Sequence, residues 1–235
     1  MKGVFDIFRK NADDDETYRE KFEVEFDPGD TLLDVFHIIQ HDHDPSFAYR
    51  YSCRGAICGS CAVRVNGVAA LACKTQVATL VEQGEVVVDP IGNLMPITDL
   101  VVDLDPFFDA YKRILPFIRR DIEDHDYVHT EGLDPKHFDQ MIRAITCIKC
   151  AACFSDCPKR ADAETFMGPA AAVALYKYFF DSRDAARDER IGLAADPDFG
   201  VVACDSHANC VKVCPKDVRP LRAINFIRKE LSAQE

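Results

Sequence analysis

The chain has 235 residues, 48% hydrophobic and 29% charged, the proportions of an ordinary globular protein, and its length suits two domains with real cores. A net charge of −12, spread over both halves with a local run at "NADDDE", excludes the basic face that a nucleic-acid binder needs. The start, "MKGVFDIFRK", lacks the apolar core of a secretory signal and the Arg-rich pattern of a transit peptide. The longest uncharged apolar stretch, Thr165 to Tyr176, falls short of the roughly 18 residues that span a bilayer. The sequence thus places the chain in a bacterial or archaeal cytoplasm, with any membrane association coming through partners.

The first hundred residues read as strands plus one helix. In "EKFEVEF", Phe22, Val24 and Phe26 alternate with charged neighbours, the period of a half-buried strand. After the turn "DPGD", Leu32, Val35, Phe36 and Ile39 recur at helical spacing, with Asp30 or Thr31 placed to cap the helix. "AVRVNGVAALA" is a hairpin with Asn66-Gly67 at its turn, and "EVVVDP" is a short strand closed by Pro90. This order predicts a small mixed sheet gripping one helix. The second half is helical with cysteine-rich joints. Asp134 as cap and Pro135 at the first position start a helix with the apolar face Phe138, Met141, Ile142 and Ile145. Further helices are predicted over "ETFMGPAAAVALYKYFFDS" and over "RPLRAINFIRKEL", where Leu221, Ile224, Ile227 and Leu231 share a face. The expected domains are 1–105 and 106–235.

Eleven cysteines in a reducing compartment point to metal rather than disulfides. Cys53, Cys58, Cys61 and Cys73 form C-x4-C-x2-C with a later fourth Cys, the plant-type 2Fe-2S arrangement. The competing reading, a zinc site of four cysteines, usually shows two C-x2-C knuckles, and here there is one. Gly55 and Gly59 are expected to give the loop the freedom to turn backbone N–H groups toward sulfur. The fourth Cys follows sooner than in free plant-type ferredoxins.

"CIKCAACFSDCP" and "CDSHANCVKVCP" share the bacterial two-cluster spacing, in which the last Cys of each run crosses to the other cluster. That rule assigns Cys147, Cys150, Cys153 and Cys214 to a 4Fe-4S centre. It leaves Cys157, Cys204 and Cys210 for the last one, because His207 stands where the second run should have its second Cys. Three thiolates fit a 3Fe-4S cluster. A second reading has His207 ligate a fourth iron, since imidazole replaces Cys in some clusters. Five cations, Lys149, Lys159, Arg160, Lys212 and Lys216, surround these runs in sequence. They read either as charges favouring the reduced clusters or as ordinary surface solubility. With no nucleophile or acid/base constellation evident, the chemistry expected is one-electron transfer.

With "SCRGAICGSCAVRVNGVAALACKT", "CIKCAACFSDCP", "GPAAAVALYKYFFDSRD" and "NCVKVCPKDVRP" in this order, the chain resembles the iron-sulfur subunits of succinate dehydrogenases and quinol:fumarate reductases over nearly its whole length. The resemblance implies an α+β protein. Its amino-terminal domain would be a β-grasp plant-type 2Fe-2S ferredoxin domain, and its carboxyl-terminal domain all-helical and bacterial-ferredoxin-like, carrying 4Fe-4S and 3Fe-4S clusters. It implies an FAD-containing flavoprotein subunit that oxidises succinate, membrane-anchor subunits, and quinone near the last cluster. The present chain would carry electrons between them without binding succinate, held peripherally at the cytoplasmic face of the cell membrane. The same ligand set serves a fumarate reductase running in the opposite direction. A third reading is a soluble electron carrier for a heterodisulfide-reductase-like partner. The chain departs from the better known members where quinone binds. They carry a Trp pair after the first "CP" and a His directly after the Cys at position 204; this chain has "KRADAE" and Asp205, and no Trp.

Overall fold

The computed structural model describes residues 1–120, 135–181 and 183–233, and of Lys136 the backbone only. By contacts the chain forms two compact units. One is Met1–Leu104 with Ile148–Asp156; the other is Asp105–Cys147 with Cys157–Glu235.

The first unit is built on a five-stranded sheet. Its strands are β1 (Lys2–Lys10), β2 (Thr17–Glu25), β3 (Ala62–Val65), β4 (Val68–Leu71) and β5 (Val86–Asp89), in the order β2-β1-β5-β3-β4. β1 pairs antiparallel with β2 and parallel with β5, a mixed centre. Alternate residues face the core as the period predicts: Phe5 and Ile7 from β1, Phe22 and Val24 from β2, Val86 and Val88 from β5 are all buried. At the β3–β4 turn Asn66 and Gly67 both have positive φ, 49° and 81°, the left-handed pair that a two-residue hairpin demands. A small second sheet joins β6 (Pro96–Thr98) to β7 (Val101–Val102).

Helix α1 (Leu32–Ile38) buries Leu32, Leu33, Val35 and Phe36. Of the two candidate caps, Thr31 is the one used: Asp34 N–H donates to its hydroxyl, and the Asp34 carboxylate accepts from Thr31 N–H at 2.9 Å. This reciprocal box satisfies two otherwise orphaned donors at the helix start. The short helix α2 (Val77–Val81) buries Val77.

The second unit opens with α3 (Asp105–Arg113) and α4 (Pro135–Ile145). The expected cap of α4, Asp134, lies outside the described residues. The face of α4 that packs is not the one its apolar residues suggest. Phe138, Ile142 and Ile145 are exposed, while His137, Gln140, Met141 and Ala144 are buried. Polar partners decide the rotation. His137 hydrogen-bonds the Tyr176 hydroxyl at 2.9 Å and stacks on Phe180 at 3.8 Å, and Gln140 donates to the Val218 carbonyl at 3.1 Å.

The turn α5 (Ala152–Ser155) lies in the segment that packs with the first unit, for reasons visible in its hydrogen bonds. Gly92 N–H donates to Ser155 Oγ at 2.8 Å, Asn93 Nδ2 to the Phe154 carbonyl at 2.8 Å, and Ala69 N–H to Asp156 at 3.0 Å. The second unit resumes with α6 (Pro158–Asp162), α7 (Gly168–Phe179), α8 (Arg187–Ala195), α9 (Asn209–Lys212) and α10 (Pro220–Ser232). Helix α7 is buried continuously from Gly168 to Tyr176, so it is a core helix, hydrophobic all round. Against it α10 turns Ala223, Ile224 and Ile227, with Leu221 and Leu231 at the margin of the stripe. No helix among the described residues is long and apolar enough to cross a membrane.

Candidate metal centres

All eleven cysteines lie within the described residues, none in a disulfide. Cys53, Cys58, Cys61 and Cys73 belong to the first unit. The Cys53–Cys58 loop forms a cradle of N–H donors around sulfur. Gly55, Ile57 and Cys58 donate to Cys53 Sγ at 3.4, 3.3 and 3.2 Å, and Cys53 donates to Cys58 Sγ at 3.5 Å. Across the hairpin, Cys73 N–H reaches Cys61 Sγ at 3.5 Å. Such donors stabilise the negative charge that thiolates and sulfides share in a cluster. The donor set therefore fits a 2Fe-2S centre.

The left-handed residues of this loop are Arg54, Ala56 and Gly59, not Gly55. Alternating handedness along 54–57 is what aims successive N–H groups into one concavity, and side chains other than glycine tolerate it at a cost. Gly59 is required for a second reason. At φ +78° a Cβ there would lie 2.8 Å from Cys150 Cβ and 3.0 Å from the Ile148 carbonyl. Gly59→Ala combines backbone strain of about 1–2 kcal/mol with displacement of the Cys150 segment. The expected outcome is reduced occupancy of the 2Fe-2S centre, and of a second cluster as well if Cys150 is a ligand, read from iron and sulfide content.

Burial works to raise the Cys58 thiol, but hydrogen bonds from Ser60 and Cys53 outweigh it and bring it down to about 6, whereas burial pushes Cys61 up to about 12. Beside the loop stands an aromatic cluster. Tyr49 and Tyr51 stack at 5.6 Å, Arg54 lies over Tyr51 at 5.5 Å, and His37 Nδ1 meets the Tyr49 hydroxyl at 2.5 Å.

The two later runs repeat one backbone. Lys149 and Ala151 have φ of 53° and 60°; Ser206 and Ala208, at the same offsets from Cys147 and Cys204, have 63° and 64°. Ala151 caps the turn carrying Cys153, and Ala208 caps the turn carrying Cys210. The correspondence holds through His207, which occupies the equivalent of Cys150 and has its side chain exposed. Cys150 and Cys153 fall in the first unit, Cys147 and Cys214 in the second. Tyr111, pushed up to about 12 by burial and then by the Cys147 charge, lies close to that thiol, and Val218 N–H donates to Cys214 Sγ at 3.3 Å.

Cys157, Cys204 and Cys210 all lie in the second unit. Burial, then the neighbouring Cys157 and Cys204 charges, push the Cys210 thiol up to about 12; burial also raises Cys157. A thiol held this high would bind iron only by losing its proton, so assembly of a cluster there would release protons and be opposed by acid. Ser206 N–H donates to Cys204 Sγ at 3.4 Å. Behind this loop Arg228, from α10, acts as a staple. Its guanidinium donates to the carbonyls of Val201 at 3.0 Å, Val202 at 3.1 Å and Cys204, and to Ser206 Oγ at 3.0 Å. Arg228 bears no local mark in sequence, since all the partners of its guanidinium given above are distant along the chain.

Of the five cations, Arg160 is buried and bound to the carbonyls of Glu164 and Phe166. Lys159 forms an ion pair with Asp205, Nζ to Oδ2 3.6 Å. Lys149 and Lys212 are exposed, and Lys216 is half-buried. Among the described residues no three Cys, His, Asp or Glu side chains close on a point as a single metal ion would require. A cluster, whose ligands bind different irons, makes no such demand.

A mixed sheet with a sulfur-wrapping loop, together with two helical turns that share one backbone and carry the bacterial two-cluster cysteine spacing, defines an iron-sulfur electron-transfer protein. Residues 4–109 match the family described as 2Fe-2S iron-sulfur cluster binding domain, and residues 140–215 match the 4Fe-4S dicluster domain. The succinate dehydrogenase iron-sulfur subunit of Coxiella burnetii is 34% identical over 97% of this chain and 96% of its own length. The mitochondrial succinate dehydrogenase [ubiquinone] iron-sulfur subunit of Dictyostelium discoideum is 30% identical over 95% of this chain and 80% of its own. The chain belongs to the family of succinate dehydrogenase iron-sulfur subunits. Its fold is similar to that of a chain in the Mycobacterium smegmatis Sdh1 complex in the apo form, with TM-score 0.87 and 23% identity, covering 100% of this chain and 97% of that one.

Proposed function

We propose that this chain carries electrons singly from the FAD of a flavoprotein subunit that oxidises succinate to quinone in a membrane anchor, held by those partners at the cytoplasmic face of the membrane. Cys53, Cys58, Cys61 and Cys73 hold the 2Fe-2S centre. Cys147, Cys150, Cys153 and Cys214 hold the 4Fe-4S centre, and Cys157, Cys204 and Cys210 the 3Fe-4S centre. Each centre, when bound, takes up and releases one electron, which divides the two-electron oxidation of succinate into single steps.

The protein's own residues supply the environment. The N–H groups around Cys53 stabilise sulfur charge, and burial around Cys157 and Cys210 excludes water. Ser206 and Arg228 keep Cys204 in place. The observation that supports the three-iron reading is that His207, and not a cysteine, stands at the equivalent of Cys150, which leaves three thiolates, Cys157, Cys204 and Cys210, in the second unit. His207→Ala is therefore expected to leave iron content and the potential of the last centre unchanged. Loss of one iron per chain would make His207 a ligand and overturn the reading.

A further inference from the structure

Asp205 follows Cys204 directly, and Lys159 lies two residues after Cys157 on α6. In the folded second unit their side chains meet, Nζ to Oδ2 3.6 Å. We propose that this ion pair is the charge lock of the last cluster: it lies between the two segments that supply Cys157 and Cys204, and its opposed charges, not any hold on the loop, tune the potential at which that centre accepts an electron. The inference rests on the assignment of Cys157, Cys204 and Cys210 to one cluster.

The two charges do not act equally. The Lys159 side chain is 26% exposed and that of Asp205 51%. Water screens the carboxylate more than the ammonium, and an interaction that is small in water grows severalfold at the effective dielectric of a protein surface. A fixed cation favours the added electron and a fixed anion opposes it. Lys159 thus dominates, and Asp205 holds it in place while offsetting part of its charge. The neighbouring cation Arg160 is bound to backbone carbonyls of the turn beyond its own helix.

The loop does not depend on this pair for its shape. Arg228 secures Val201, Val202, Cys204 and Ser206 from the opposite element, and a half-exposed ion pair contributes little to stability. Substitution therefore changes charge without dismantling the site.

The test is a redox titration of the assembled complex in its membrane, following the paramagnetic signal of the last centre, with the 2Fe-2S signal as internal control. Lys159→Gln is expected to lower the potential, by up to about tenfold in the reduction equilibrium, or about 59 mV for a one-electron couple. Asp205→Asn raises it by less, the double variant falls between the two, Lys159→Arg stays at the wild-type value, and the 2Fe-2S potential does not move. Single variants that shift in the same direction, or not at all while the signal is intact, overturn the charge lock and leave the ligand assignment standing. Loss of the cluster in Lys159→Gln would show a structural role and also overturn it. If the wild-type last centre lacks a 3Fe-4S signal, the ligand assignment itself fails, and the inference with it.

Discussion

Replacing Cys210 with Ser is expected to abolish the last centre while the 2Fe-2S centre persists. Cys210 is 7% exposed, and its thiol is raised by burial and by the charges of Cys157 and Cys204. A hydroxyl there keeps the shape but is a far poorer iron ligand than a thiolate. With only Cys157 and Cys204 left, the proposed site falls below the three ligands a three-iron cluster needs. The proposed 2Fe-2S ligands lie in the other compact unit, in the segments flanking the β3–β4 hairpin. Succinate-driven reduction of the first centre should therefore survive while quinone reduction falls to background. The measurement is paramagnetic resonance paired with quinone-reductase assay on the same membranes. Retention of the last centre in Cys210→Ser would require a different ligand set.

The second large effect concerns stability. Arg190 and Asp184 form an ion pair whose side chains are each 1% exposed. The guanidinium binds the carboxylate through Nε at 2.6 Å and Nη2 at 2.9 Å, and also donates to the carbonyls of Ile114, Leu115 and Phe117. Burial works to raise the Asp184 carboxyl, but Arg190 and the Arg119 N–H outweigh it and hold it below the usual range. A depressed carboxylate stabilises the fold above its unfolded value, and that contribution is lost as pH falls through the folded one. Arg190→Ala strands the buried carboxylate and three carbonyls, a loss of about 3–5 kcal/mol. For a chain of this size that lowers the melting temperature by on the order of 10 °C. Asp184→Asn, which keeps a hydrogen-bond acceptor facing Arg190, should cost less. Thermal unfolding followed by circular dichroism distinguishes these, and a drop of under about 1 kcal/mol in Arg190→Ala would contradict the central role of the pair.

What was legible in the sequence was what local chemistry determines. Phe22 and Val24 announced their strand, Asn66-Gly67 its turn, and Ile224 and Ile227 the packed face of α10, because period and turn type depend on near neighbours. Cysteine spacing was legible for the same reason, since a cluster run is a short loop. The rotation of α4 was not. Phe138, Ile142 and Ile145 make a plausible core stripe, and only the distant Tyr176, Phe180 and Val218 turn His137 and Gln140 inward instead. Nor could spacing show that Ile148–Asp156 packs with the first unit, which follows from bonds to Gly92, Asn93 and Ala69. Left-handed backbone at Lys149, Ala151, Ser206 and Ala208 carries no glycine to signal it. Asp205, conspicuous in sequence as the residue after Cys204, gained its meaning only when folding brought Lys159 to it.

The proposed function turns on three thiolates holding the last cluster with no fourth ligand from His207. Paramagnetic resonance on the oxidised complex tests this most directly. The expected result is an oxidised-state signal typical of a 3Fe-4S centre that disappears on reduction. A last centre that is silent when oxidised and paramagnetic only after reduction would contradict it.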